Sequence, residues 1–183
     1  MQAAEAVERY IHEKRLKRLD ELAFYVERPS FEETIVTSAL SQRNGKRESH
    51  QRRIPAHALR RSADRLRQHA RSLRQTRSFE ELHGMIQYLL TSRSKKIRGI
   101  GPLTVYDIAI RIAARKNLEP ARVYLHAGAR AGARRVRVPN WRADSIRKSE
   151  LPAEFHKLSE AECENCLCIY FTKKKRRRSR STC

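Results

Sequence analysis

The stretch SKKIRGIGPLTVYDIAIRIA, Ser94–Ala113, decides how the rest of the chain is read. Two glycines, Gly99 and Gly101, bracket Ile100, and Lys95, Lys96 and Arg98 lead in. After Pro102, Val105, Ile108, Ala109 and Ile112 recur at helical spacing and predict a helix to about Lys116, with Asn117 placed to cap its end. Proline suits the first turn of that helix, because an N–H there would have no partner. Glycines at the turn leave the neighbouring amides uncovered and admit positive φ. A helix N-terminus adds unpaired N–H groups and the positive end of the helix dipole, a combination that binds anions. Ile100 is expected to anchor the turn in the core.

Working outward, the chain reads as helix after helix. Residues 4–27 form the first, with Val7, Tyr10, Ile11, Leu19, Leu22, Ala23 and Val26 on its apolar face and Pro29 as its stop. Three serines, each followed three residues later by glutamate, mark helix starts: Ser30 with Glu33, Ser78 with Glu81 and Ser159 with Glu162. The first opens a helix to about Leu40, the second a helix over 79–91, and the third a helix to about Phe171. Residues 55–75 repeat Leu59, Ala63, Leu66, Ala70 and Leu73 as a buried stripe, while Arg60, Arg61, Arg67, Arg71 and Arg74 lie off it. A further helix is expected from Pro120 through the doubled AGAR at 127–134, where Gly128 and Gly132 would let a neighbouring backbone approach. No segment reads as a strand. The expected fold is all-α, about six helices in one domain over 1–171, followed by a basic, disordered tail at 172–183.

One connection breaks the pattern. SQRNGKRESHQRRIP, Ser41–Pro55, is polar, basic and aperiodic, with a turn at Asn44-Gly45. Connections this long inside a small domain tend to be functional or disordered. Lys46, Arg47, Arg52 and Arg53 make it a phosphate clamp; Glu48 and His50 add groups capable of acid–base work.

The charge indicates the partner. The chain carries 41 Lys and Arg against 20 Asp and Glu, a net charge of +21. Such a field draws polyanions and repels a second copy of the chain. Nucleic acid is the expected partner, with a protein complex also open. No apolar run approaches a membrane span and no signal peptide follows Met1, so an intracellular protein is expected, cytoplasmic, nucleoid-bound or nuclear. The four cysteines crowd near the C-terminus and do not read as a disulfide framework. Cys163, Cys166 and Cys168, with His156 upstream, allow a zinc reading. Cys163 and Cys166 also share a helix face with Leu167 and Tyr170, the pattern of core cysteines, which is preferred here.

Ile97, Gly99, Ile100, Gly101, Thr104, Val105 and Ile108, within a helix–turn–helix span of about 79–116, resemble the helix-hairpin-helix motif of DNA-binding proteins. The resemblance implies a DNA phosphate bound by backbone amides of the turn, often with a monovalent cation; no other cofactor is expected. Lys95, Lys96, Arg98, Gly99, Ile100, Gly101 and Thr104 would form that contact, extended by Lys46, Arg47, Arg52 and Arg53. The wider layout resembles the scaffold of helix-hairpin-helix DNA glycosylases. FEETIVTSALSQ is similar to their segment ending in a Leu-Ser-x-Gln-type sequence, and VYLHAGAR to their Val-Asp-x-His segment. Two positions depart from that family. Leu103 stands where its bifunctional members have a lysine, and Tyr124 where an aspartate precedes the histidine.

Sequence-nonspecific duplex DNA binding is therefore the expected function. A DNA repair or modification enzyme on a glycosylase-like scaffold is the first alternative, and an RNA- or ribosome-associated protein the second. The low aromatic content, 7%, argues against the last. The residues open to a catalytic reading are Glu48, His50, Asp107 and His126. For Asp107 an ion pair with Arg111 one turn on is the plainer reading, and for His126 an ordinary half-buried histidine.

Overall fold

The computed structural model describes residues 2–48 and 51–172. The protein is all-α, with four two-residue strands among the described residues. The span read as one domain falls into two compact units, Glu8–Arg122, and Met1–Val7 with Val123–Cys183.

The N-terminal helix is not uniform. Helix α1 (Ala3–Tyr10) runs into a π-helical segment, Ile11–Arg15, before α2 (Leu16–Val26). A π turn takes up more residues than an α turn, so the face presented after it is rotated relative to the one before. The expected inward face is corrected accordingly. Tyr25 is fully buried, whereas Leu19 is 56% and Val26 39% exposed.

Helix α3 (Phe31–Leu40) starts where Ser30 Oγ accepts the Glu33 amide at 3.1 Å. It ends at Ser41, which takes the left-handed conformation at φ 53°. A two-residue hairpin follows, β1 (Gln42–Arg43) and β2 (Lys46–Arg47), antiparallel with Gln42 opposite Arg47. Asn44 and Gly45 connect them with φ of 51° and 72°. Two positive φ values in a two-residue connection make the mirror-image turn whose twist matches a hairpin. This part of the connection is thus built, contrary to the reading of no strands.

The stripe predicted over 55–75 is buried as expected, Leu59, Ala63, Leu66, Ala70 and Leu73 all lying in the core. The helix itself breaks at His69 into α4 (Ala56–Gln68) and α5 (Ala70–Gln75). Helix α6 (Phe79–Thr91) is capped by Ser78, while Glu81 reaches the amide of Arg77 at 2.7 Å. Helix α7 (Pro102–Arg115) is buried on most sides, packing on α2, α3 and α6. It ends as expected at Asn117, in the left-handed conformation at φ 53°, with the Leu118 amide bonded back to the Ala113 carbonyl at 3.0 Å.

In the other unit the helix expected from Pro120 begins only at Ala127. Val123, Leu125 and Ile146 are buried, and β3 (Val123–Tyr124) pairs antiparallel with β4 (Ser145–Ile146). Alternating burial of this kind has the period of a strand, not of a helix. Helix α8 (Ala127–Arg135) then packs on α9 (Glu160–Phe171), which opens on a complete capping box between Ser159 and Glu162. A Cβ on Gly128 would collide with Cys168 Sγ, and one on Gly132 would lie 2.8 Å from the Leu167 carbonyl carbon. The AGAR repeat is therefore a close helix contact made through small residues.

Candidate nucleic-acid interface

The turn from α6 to α7 is held from beneath. Ile97 and Ile100 are buried, and the Ile97 amide bonds to the Leu90 carbonyl at 2.9 Å. Arg65, reaching across from α4, donates to the carbonyl of Leu89 at 2.9 Å and to that of Lys95. One guanidinium thus fixes both the end of α6 and the basic lead-in.

The two glycines differ in what they are for. Gly99 has φ +94°, and a Cβ there would come 3.4 Å from Pro55 Cδ. Both backbone and packing ask for glycine at that position. Gly101 has an extended backbone, φ −119°, and a Cβ there would meet nothing within 4 Å. It is the N-cap of α7, and no side chain caps it. Serine hydroxyls cap α3, α6 and α9. The amides of Leu103 and Thr104 thus stand at an uncapped helix N-terminus behind open space.

The Pro55 contact brings a second segment to the turn. Arg52 and Arg53, three and two residues before that proline, are exposed, as are Lys46, Lys96 and Arg98. Lys95 is half-buried, its ammonium 4.4 Å from the centre of the Tyr88 ring. Arg47 turns inward and donates to the Ile54 carbonyl at 3.0 Å, so it shapes the connection. Thr104 is buried and can offer its backbone amide, not its side chain, to the outside.

Beneath the connection lies a buried polar network that the sequence did not announce. Gln51 donates through Nε2 to Asp107 Oδ2 at 2.7 Å, and its Oε1 accepts from the Ser41 hydroxyl. Ser41 Oγ in turn accepts from Arg111 Nη1 at 2.9 Å, and the same nitrogen reaches the Ser38 carbonyl at 3.2 Å. Arg111, 1% exposed, also lies over the Tyr25 ring at 5.2 Å. Asp107 and Arg111 are therefore joined to the connection through Gln51 and Ser41. Burial raises the Tyr25 phenol above its ordinary value despite the nearby Arg111. Arg18 is held in its charged form, Glu21 and Asp107 outweighing the burial that opposes it. The available signal was the run of small polar residues in TSALSQ; with no apolar period it did not show which of them turn inward.

The remaining catalytic candidates are Glu48, His50 and His126. Glu48 is half-buried, 3.5 Å from Arg43 Nε. His50 lies outside the described residues. His126 belongs to the other unit, where it is buried with Nε2 3.1 Å from Glu164 Oε1, so the half-buried reading is corrected to a buried paired one.

Among the described residues no group of three or more His, Cys, Asp or Glu is placed to hold a metal ion. Cys163 and Cys166 are core residues, with Sγ–O distances of 3.4 Å to Phe155 and 3.7 Å to Ala6. Burial pushes both thiols up to about 12, so they stay protonated near neutrality. Cys168 is half-buried and His156 exposed. Cys183 and the basic run lie outside the described residues.

No helix among the described residues is long and apolar enough to cross a membrane. No family model matches the chain, and no curated protein or solved structure matches it either.

Proposed function

We propose that the unit Glu8–Arg122 binds duplex DNA without sequence preference, as a helix-hairpin-helix module. The amides at the start of α7 hold a backbone phosphate, and Lys96, Arg98, Arg52, Arg53 and Lys46 extend the contact along the strand. A monovalent cation can share the carbonyls of the turn. Such contacts fix position on the duplex and carry little sequence information. Gly101 carries this reading: neither its φ nor its packing requires glycine, yet it keeps an uncapped helix N-terminus uncovered beside exposed cations. The test is anisotropy with labelled duplex. Gly101→Glu places a carboxylate where the phosphate would sit and should weaken binding more than tenfold, with the helical circular dichroism unchanged. Unchanged affinity would remove the turn from the interface, and preference for duplex RNA would reassign the partner.

A second reading, a DNA repair or modification enzyme, rests on the network around Asp107. Concentrated buried ionisable groups beside a cationic surface are where active sites occur, although structural networks share the property. Incubation with damaged duplexes, scoring strand breaks and abasic sites, tests it. Product formation abolished by Asp107→Asn supports it; no product from any substrate removes it.

A further inference from the structure

Trp141, the only tryptophan of the chain, is not used by the hairpin. It lies in the other unit, half-buried, in a turn closed by the Ala143 amide on the Asn140 carbonyl at 2.9 Å. That turn is tied down at both ends. Asn140 Nδ2 donates to Glu150 Oε2 at 2.6 Å, and Arg130 donates to the Ala143 carbonyl at 3.3 Å and to Asp144 at 3.1 Å. Two exposed arginines lie against the indole: Arg134 from α8 with Cζ 5.3 Å from the ring centre, and Arg142 at 4.5 Å. Just past α8, Arg137 is exposed, its φ of 62° ending the helix.

From this arrangement we infer that Trp141 is a stacking platform for an unpaired nucleobase, giving the chain a second nucleic-acid contact, for single strands. The argument compares two interactions of one ring. The guanidinium groups of Arg134 and Arg142 are exposed to water, which keeps their cation–π contacts with the half-buried indole weak. Stacking of a nucleobase on an aromatic side chain is the stronger of the two, and it is indifferent to sequence because every base has a π face. An incoming base therefore displaces a guanidinium from the ring. The released arginine remains close enough to meet the phosphate beside that base, so its charge is kept in use. The bonds at Asn140 and Arg130 hold the ring in place beforehand, so little order has to be created on binding. The surrounding charge agrees: residues 130–148 hold six arginines and a lysine against a single aspartate.

Because the tryptophan is unique, its fluorescence reports this site alone. The full chain is titrated with a short oligothymidylate, an oligouridylate, an abasic sugar–phosphate oligomer and polyglutamate, with anisotropy of the labelled oligomers in parallel. Saturable quenching by an oligomer carrying bases, with little change from the abasic oligomer or polyglutamate, is the expected result. Whichever of the thymidylate and uridylate arms binds tighter identifies DNA or RNA as the source of the base. Trp141→Ala should weaken single-strand binding about tenfold, and Trp141→Phe, which keeps a flat ring, should restore most of it. Equal quenching by the abasic oligomer or by polyglutamate, or saturable single-strand binding with unchanged fluorescence, overturns the inference. Neither result bears on the Gly101→Glu test, which is read on duplex in the other unit.

Discussion

Gln51 and Asp107, 56 residues apart in the chain, meet at 2.7 Å in a buried hydrogen bond. It ties the basic connection to the helix that begins at the glycine turn. Two separate cationic segments thereby become one surface, and α7 is what they share. Replacing Gln51 by leucine leaves a buried carboxylate without that donor, which costs about 1–3 kcal/mol. Urea unfolding of Gln51→Leu should show this loss. A double-mutant cycle with Asp107→Asn should give a coupling energy clearly different from zero, and strict additivity would mean the contact does not matter.

The two glycines of the turn should separate cleanly in stability. Gly99→Ala forces a Cβ into a left-handed backbone against Pro55, at a cost of about 1–2 kcal/mol. Gly101→Ala meets no neighbour and needs no unusual φ, so it should lose only what alanine costs relative to glycine at an N-cap, below about 1 kcal/mol and less than Gly99→Ala. A large loss at Gly101 would mean that glycine serves the fold there after all.

The α8–α9 contact offers a similar contrast. Alanine is a better helix former than glycine by about 0.5–1 kcal/mol. At Gly84 in α6, where a Cβ meets nothing, Gly84→Ala should stabilise by about that amount. At Gly132 the added methyl would run into the Leu167 backbone, which cannot swing aside as a side chain could. Overpacking of about 1–3 kcal/mol outweighs the helical gain. Gly132→Ala should therefore melt below the wild type and Gly84→Ala above it.

Burial lowers the pKa of His83, which stacks on Phe79 with ring centres 5.9 Å apart. A depressed histidine is neutral in the folded state while the unfolded chain takes up a proton near its ordinary value, about 6.5. Its contribution is therefore kept above that pH and lost as pH falls through the folded value. Between about pH 7.5 and 5.5 the wild type should lose more stability than His83→Phe. Parallel pH dependence of the two melting temperatures would contradict this.

What the sequence made legible followed from strong periodicity and from local capping chemistry. The stripe from Leu59 to Leu73, the serine caps at 30, 78 and 159, and the Asn117 helix end all depend on neighbours a few residues away. The π segment at Ile11–Arg15 carries no such mark, so the exposed face of α2 was misread. Val123 and Tyr124 were absorbed into a helix because their strand partners lie more than twenty residues on. The candidate site divides in the same way. Gly99, Ile100 and Gly101 were visible as a motif, while the Asp107–Gln51–Ser41–Arg111 network joins polar residues that no apolar period marks as buried. Long-range hydrogen bonds leave no period in a single sequence.

The salt dependence of duplex DNA binding tests the central claim most directly, measured for the wild type, Gly101→Ala and Gly101→Glu. Contact with about six phosphates predicts a slope of log affinity against log salt near −5 for the wild type. Gly101→Ala should keep most of that affinity, and Gly101→Glu should bind more than tenfold more weakly with a shallower slope, all three proteins having the same helical content. Superimposable curves for the three would place the DNA elsewhere on the basic surface and contradict the hairpin as the phosphate site.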